Sequence, residues 1–77
     1  MKILDIGFNN SVVLDKVVAV VSSEAAPMKR LRAEAKRQGK LIDATNGRKT
    51  RAIIITTSDH VILSGINPET LAERIRA

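Results

Sequence analysis

Residues 41–57 read LIDATNGRKTRAIIITT, in which two apolar segments flank a polar turn sequence. Residues 41–45 are predicted to form a β-strand that ends at Asn46 and Gly47, the strongest turn signal in the chain. Both central positions of a type I′ turn require a positive φ, and asparagine and glycine accept that conformation most readily. The β-branched residues 52–57 then predict a return strand, so the stretch is expected to fold as a hairpin.

A second turn and a third strand extend this hairpin. The turn is expected at Ser58 and Asp59, and the strand is expected over residues 60–64. Because the three strands are joined by short connections, residues 41–64 predict an antiparallel three-stranded meander.

Two strand regions are expected before the first helix. Residues 2–6 predict a strand that ends at Gly7. The apolar residues 12–14 follow, and a polar break at residues 15–16 separates them from a β-branched run over residues 17–21. That run has no helical spacing, so it predicts a strand that is buried on both faces.

Two helices complete the predicted fold. The first is capped by Ser22 or Ser23 and ends before Gly39, which suits the position after a helix. A second, shorter helix lies near the end of the chain. The predicted order is β-β-α-β-β-β-α, in one small α+β domain over residues 1–77.

The size of the chain points to self-association. A domain of 77 residues buries only about 60% of the surface that its unfolded chain exposes. The chain has no cysteine and one histidine, so disulfides are ruled out and a zinc site is disfavoured. Apolar residues make up 44% of the chain but aromatic residues only 1%. Because an aliphatic core gains from extra burial between subunits, we expect a homo-oligomer.

The positive charge of the chain is concentrated in one window. The net charge is +5, and nine of the 13 Lys and Arg residues lie between Lys29 and Arg51. The window also holds two acids, so its net charge is +7, whereas the other four basic and six acidic residues leave −2 elsewhere. This asymmetry is typical of a surface that faces a polyanion.

The segment from Asn46 to Arg51 is the candidate binding site. It carries Arg48, Lys49 and Arg51, and Asp43 is the one acid nearby. A rigid hairpin with such side chains can hold phosphates on both sides of a DNA groove. Strand alternation would place Arg48 on one face of the hairpin and the other two cations on the opposite face. We expect this segment to bind double-stranded DNA.

Other interpretations of the charge stay open. The segment can be an ordinary polar turn, it can bind an acidic protein partner, or it can bind double-stranded RNA. A basic stripe on the first helix, formed by Lys29, Arg32 and Lys36, fits either solvation or contact with DNA. Single-stranded nucleic acid is disfavoured, because base stacking needs aromatic side chains and Phe8 stands alone.

No catalytic site, metal site, cofactor or small-molecule substrate is predicted. His60 is the sole histidine and is expected to be structural, and no cysteine nucleophile exists. Residues 47–50 read GRKT, but the spacing of a phosphate-binding loop is absent. We therefore expect a protein that is not an enzyme.

The N-terminal residues are not expected to form a signal peptide. Asp5 interrupts the apolar stretch at residues 3–6 before an apolar core of a signal could form. No stretch approaches the length of a membrane span. A cytoplasmic location without membrane contact is expected.

Several ordered blocks of the sequence resemble the RemA family, small bacterial regulators named for control of extracellular-matrix genes. The blocks span nearly all of the chain and lie at residues 6–10 (IGFNN), 21–30 (VSSEAAPMKR), 41–51, 58–64 (SDHVILS) and 68–70. The resemblance implies a nucleoid-associated, DNA-binding transcriptional regulator linked to biofilm formation. It also implies a ring of about seven or eight copies that binds or wraps DNA.

The resemblance further implies site residues. The DNA-contacting arginines of the family, an adjacent pair in the loop and one between the early strands, correspond here to Arg48, Lys49 and Lys16. Two of the three are lysine in this chain. Lysine keeps the charge that meets a phosphate but lacks the bidentate fork that reads guanine. We therefore expect the loop to hold the DNA backbone and not to read one sequence tightly. Arg51 joins the set by its place in the loop, not through the family.

Overall fold

The computed structural model describes residues 1–77 and shows a mixed α+β domain with two helices and two sheets. The elements are β1 (Ile3–Gly7), β2 (Asn10–Val13), β3 (Val17–Ser22), α1 (Met28–Arg37), β4 (Leu41–Asp43), β5 (Ala52–Thr56), β6 (Val61–Ser64) and α2 (Pro68–Arg76). A 3-10 turn, Leu14–Lys16, joins β2 to β3. β1 and β2 form a hairpin, and the other four strands form the main sheet. The predicted α+β class is confirmed.

The main sheet has the strand order β3-β5-β6-β4. β5 pairs antiparallel with β3 and with β6, whereas β4 pairs parallel with β6. The predicted meander over residues 41–64 is therefore wrong, because β6 lies between β4 and β5. β5 has a neighbour on each side in both arrangements, but β3 pairs with all five of its residues, whereas β4 has only three residues to offer, so β3 covers the fully buried Ile53 and Ile54 better. The turn signal at Asn46 and Gly47 describes local backbone geometry and does not decide which strands pair.

The main sheet is the middle of three layers. On one face, Ile54 belongs to a cluster that includes residues of the β1–β2 hairpin and of α2, namely Leu4, Ile6 and Leu71. On the other face, Ile53 belongs to a cluster with residues of α1 and β6, namely Met28, Ala35, Val61 and Leu63. The alternation along β5 therefore places α1 on one side of the sheet and the hairpin with α2 on the other.

The region before α1 differs from its prediction in two ways. Three strands precede the helix instead of two, because the 3-10 turn separates β2 from β3. Residues 17–21 were expected to be buried on both faces, but β3 is an edge strand of the main sheet. Its register with β5 shifts between Val17 and Ala19, so Val18 is an extra residue in a bulge and is 64% exposed.

α1 begins at Met28, several residues later than its predicted caps Ser22 and Ser23. The cause is Pro27, because a proline disfavours helical backbone in the residue before it. The residues between β3 and Pro27 form turns instead.

The C-terminal end of α1 lies where the sequence predicts it. Gly39 has a φ of 72°, and its N–H donates to the carbonyl oxygen of Lys36 at 3.1 Å. The N–H of Lys40 donates to the carbonyl oxygen of Ala35 at 2.8 Å. These two bonds form a Schellman motif, which satisfies the last free carbonyl groups of the helix. Neither α1 nor α2 has the length and apolar character of a membrane-crossing helix.

Gly7→Ala is expected to destabilise the protein more than Gly39→Ala. Both glycines have a positive φ, 95° and 72°, which costs an alanine about 1–2 kcal/mol. A Cβ at Gly7 would also lie 2.7 Å from Cγ1 of Ile66, whereas nothing lies within 4 Å of a Cβ at Gly39. The overlap should add about 1–3 kcal/mol to the loss of unfolding free energy, measured by urea denaturation. Equal losses in the two variants would contradict the close contact at Gly7.

Candidate nucleic-acid interface

The segment from Asn46 to Arg51, here named the basic loop, connects β4 to β5. Asn46 and Gly47 have φ values of 55° and 84°. The N–H of Arg48 donates to the carbonyl oxygen of Thr45 at 3.1 Å. The predicted two-residue turn with two positive φ values is therefore confirmed.

The basic loop is an arch and not the tip of a hairpin. β4 ends beside Leu63 and β5 begins beside Ser64, on opposite sides of β6. Because neighbouring strands are about 4.8 Å apart, the chain spans roughly 10 Å across the end of β6. Gly65 follows β6 directly, and a Cβ there would lie 3.5 Å from Cβ of Arg48 and 3.6 Å from the carbonyl oxygen of Lys49. The middle of the arch thus passes over a residue without a side chain.

Hydrogen bonds fix both ends of the arch. At the β4 end, the carboxylate of Asp43 accepts hydrogen bonds from the hydroxyl of Thr45 at 2.6 Å and from its N–H at 2.9 Å. These two bonds hold the pKa of Asp43 below its ordinary value. At the β5 end, the N–H of Arg51 donates to the carbonyl oxygen of Ser64 at 2.9 Å, and its own carbonyl accepts from the N–H of Ser23 at 3.1 Å.

The three cations of the basic loop have no acidic partner. The side chains of Arg48, Lys49 and Arg51 are all exposed. The structure contains two ion pairs, which join Arg37 to Glu34 and Arg74 to Asp5. No loop cation therefore forms an ion pair within the chain, although Glu24 and Glu69 line the same cleft as Lys49 and Arg51.

The loop cations point to two different environments. The guanidinium carbon of Arg48 lies 3.9 Å from the centroid of the Phe8 ring. Lys49 and Arg51 instead line a polar cleft of about 170 Å³. The cleft is completed by residues 22–24 and 67–69. The predicted alternation across a hairpin does not apply, because no strand forms before Ala52.

Lys16 lies apart from the basic loop. It is exposed at the end of the 3-10 turn, and its carbonyl oxygen accepts from the N–H of Thr57 at 2.8 Å. In the β3–β5 ladder, Val17 pairs with Thr56 and Ser22 pairs with Ala52. Lys16 and the basic loop are therefore at opposite ends of this ladder, roughly 17–20 Å apart by strand length. One chain brings three of the four predicted residues together and leaves the fourth at the far end.

The basic stripe on α1 is a separate surface. Lys29 and Lys36 are exposed and Arg32 is half-buried. Arg32 also favours the charged form of Asp43, although less than the hydrogen bonds to Thr45 do. Glu34 pairs with Arg37 and accepts a hydrogen bond from Gln38, and these contacts hold the pKa of Glu34 below its ordinary value.

Two residues near the basic loop were not predicted as part of the site. Phe8 contacts Arg48, and the side-chain amide of Asn10 donates to the carbonyl oxygen of Ala44 at 3.3 Å. The turn sequence Gly-Phe-Asn-Asn at residues 7–10 is the one signal that could have drawn attention to them, because an aromatic residue is unusual in a tight turn.

His60 lies at the opposite end of the main sheet from the basic loop. Its Nδ1 is 2.6 Å from the hydroxyl oxygen of Ser58, and its backbone N–H donates to the hydroxyl of Thr56 at 3.1 Å. This local network orders the turn between β5 and β6, which agrees with the structural role expected for His60.

Comparison with known proteins gives one family and a set of close relatives. The RemA-like family, described as "Extracellular matrix regulatory protein A-like", matches residues 3–75. A protein of Syntrophobacter fumaroxidans is 57% identical over 97% of this chain and 80% of its own length. A protein of Pseudothermotoga lettingae is 60% identical over 96% of this chain and 81% of its own length. A protein of Thermotoga petrophila is 60% identical over 94% of this chain and 78% of its own length. All three are named "Putative regulatory protein".

Asp43→Asn is expected to lower stability at neutral pH and to have less effect in acid. The folded pKa of Asp43 lies below its ordinary value, so its carboxylate stabilises the fold above the unfolded pKa. That contribution is lost as the pH falls through the folded pKa. The difference in melting temperature between wild type and variant should therefore shrink below about pH 4. Asp15→Asn, at another exposed carboxylate, is the matched control, and an equal pH profile for both variants would contradict the role of Asp43.

Proposed function

The chain belongs to the RemA-like family, and from this membership we propose that it is a regulator of transcription that binds double-stranded DNA through the basic loop. Its family and its relatives are regulatory proteins by name, and DNA binding is a direct way in which such a small chain could act on genes. Binding to the chromosome would place the protein at the nucleoid of the cytoplasm. In this proposal the protein has no catalytic activity.

The observation that carries the proposal is the arch with three unpaired cations. Arg48, Lys49 and Arg51 are exposed, and hydrogen bonds at both ends of the arch restrict its backbone. A restricted backbone loses little conformational entropy when its side chains meet phosphates. The affinity would come mainly from release of counterions. Because Lys49 and Lys16 cannot form a bidentate fork, base specificity would be low.

A ring of copies is the second element of the proposal. Val12, Val13, Ile42 and Ile62 line an open apolar groove, and Ile42 is 46% exposed on the edge strand β4. Exposed apolar side chains beside an open sheet edge are typical of a surface that another copy covers. Lys16 lines the same groove. In a head-to-tail ring of about seven or eight copies, many weak contacts with one DNA molecule would add to a high avidity.

Two other partners would use the same loop. An acidic protein would meet its cations through carboxylates, and double-stranded RNA would meet them through phosphates. DNA is preferred to RNA because an arch about two strand spacings wide matches the major groove of B-DNA, roughly 12 Å across, whereas the major groove of A-form RNA is too narrow to admit side chains. Parallel titrations with DNA, RNA and an acidic protein separate the three.

The triple variant Arg48→Ala, Lys49→Ala, Arg51→Ala is expected to lose most of its affinity for double-stranded DNA. The wild-type binding constant should fall with salt with a slope of roughly −0.9 per phosphate contact, and the variant should lose about two to three units of that slope. Fluorescence anisotropy over a salt series measures both. The matched control removes three unpaired cations of α1, Lys29, Arg30 and Lys36. Equal losses in both variants would contradict a binding site centred on the loop, whether the cause is net charge or contact of α1 with DNA.

Ile42→Glu is expected to lower the oligomeric state. The side chain lies on the edge of the groove, so a charge there should disturb contact between copies more than the fold of one copy. Light scattering at micromolar concentration should give the mass of about seven or eight copies for the wild type and a lower mass for the variant. Ala33→Glu, at an exposed position of α1, is the control. A monomeric wild type would contradict the proposed ring.

A further inference from the structure

We propose that Phe8 is a positioning residue, which holds the guanidinium of Arg48 ready for contact with DNA. The inference rests on the proposed function and extends it. It adds the β1–β2 turn to a site that is otherwise built by the basic loop alone.

The contact between the two side chains is close. The guanidinium carbon of Arg48 lies 3.9 Å from the centroid of the Phe8 ring, well within the range of about 6 Å for a cation–π interaction. A guanidinium held over a ring keeps its in-plane N–H groups available, and these groups bind a phosphate or a guanine in a bidentate manner. Nη1 of Arg48 also donates to the carbonyl oxygen of Asn46 at 3.4 Å. Two contacts therefore limit where this cation can point.

The backbone of the β1–β2 turn indicates that the ring has a role of its own. Phe8 and Asn9 have φ values of 56° and 68°. Asparagine often adopts this left-handed conformation, but a bulky aromatic residue rarely does. Phe8 belongs to neither hydrophobic cluster of the domain, so core packing does not account for an aromatic residue here. Unfavourable backbone at such a place is typical of a functional constraint.

The surroundings of Phe8 leave space for the ring and join it to the arch. A Cβ at Gly65 would lie 2.9 Å from Cε2 of Phe8 and 3.5 Å from Cβ of Arg48. The absent side chain of Gly65 thus lets both residues approach the end of β6. The side-chain amide of Asn10 donates to the carbonyl oxygens of Phe8 and Ala44, each at 3.3 Å. This amide connects the β1–β2 turn directly to the segment that leads into the basic loop.

The first test compares Phe8→Leu with Phe8→Tyr. Leucine keeps apolar bulk but has no π system, whereas tyrosine keeps the ring. Loss of one exposed cation–π contact should weaken binding to double-stranded DNA about two- to fivefold in Phe8→Leu. Phe8→Tyr should bind like the wild type. Equal binding by all three proteins would overturn the proposal, as would an equal loss in both variants.

A double-mutant cycle separates positioning from a general effect on the fold. In the Arg48→Ala background, Phe8→Leu should have no further effect on DNA affinity, because the residue through which it acts is absent. In the Lys49→Ala background, the two- to fivefold loss should persist. An effect that persists in both backgrounds would show that Phe8 acts through the stability of the fold and not through Arg48. Urea denaturation checks that each variant is folded at the assay temperature.

A readout without DNA keeps this proposal distinguishable from the proposed function. Phe8 is the one Phe, Tyr or Trp residue of the chain, so ring-current shifts of the Arg48 side-chain protons in NMR spectra have a single source nearby. The shifts should be present in the wild type and in Phe8→Tyr and absent in Phe8→Leu. Absent shifts in the wild type would overturn the contact itself. Present shifts in a protein that binds no DNA would overturn the proposed function and the role of Phe8 in it, while the contact would stand.

Discussion

Ile53 and Ile54 of β5 are both fully buried, one toward α1 and the other toward the β1–β2 hairpin and α2. Two neighbouring side chains on opposite faces can be covered completely only when their strand lies inside the sheet. β3 and β6 occupy the two sides of β5, and β4 is thereby placed beyond β6. The chain must then return across the end of β6. The arch that carries the cations is therefore a consequence of how the core is packed.

This geometry also explains why the charged residues fall into two groups. The arch lies at the end of the main sheet where β5 begins, and Lys16 lies where β5 ends, next to an apolar groove. A side chain cannot bridge the length of a strand. Within the proposed function, the two groups would therefore contact different stretches of the same DNA molecule, and a ring of copies would repeat both contacts along it.

Local features of the fold could be predicted from the sequence, and non-local pairings could not. The turn at Asn46 and Gly47 and the helix end at Gly39 depend on the backbone preferences of a few adjacent residues, so both predictions are confirmed. The parallel pairing of β4 with β6 depends on which strand best covers the isoleucines of β5. A short stretch of sequence carries no information about which distant strand that is. The contact of Phe8 with Arg48 joins residues far apart in the sequence, and no motif marks it.

The crossing over Gly65 has a consequence for the order in which the chain can fold. The basic loop lies in the middle of the chain. The residues that support it lie both earlier in the sequence, at Phe8, and later, in β6 and at Gly65. The hydroxyl of Ser64 donates to the carbonyl oxygen of Ile6 across 58 positions of sequence. Contacts of such long range form late, because a large loop must close before they can be made. The basic loop therefore acquires its arched shape late in folding, once β6 has joined the sheet between β4 and β5.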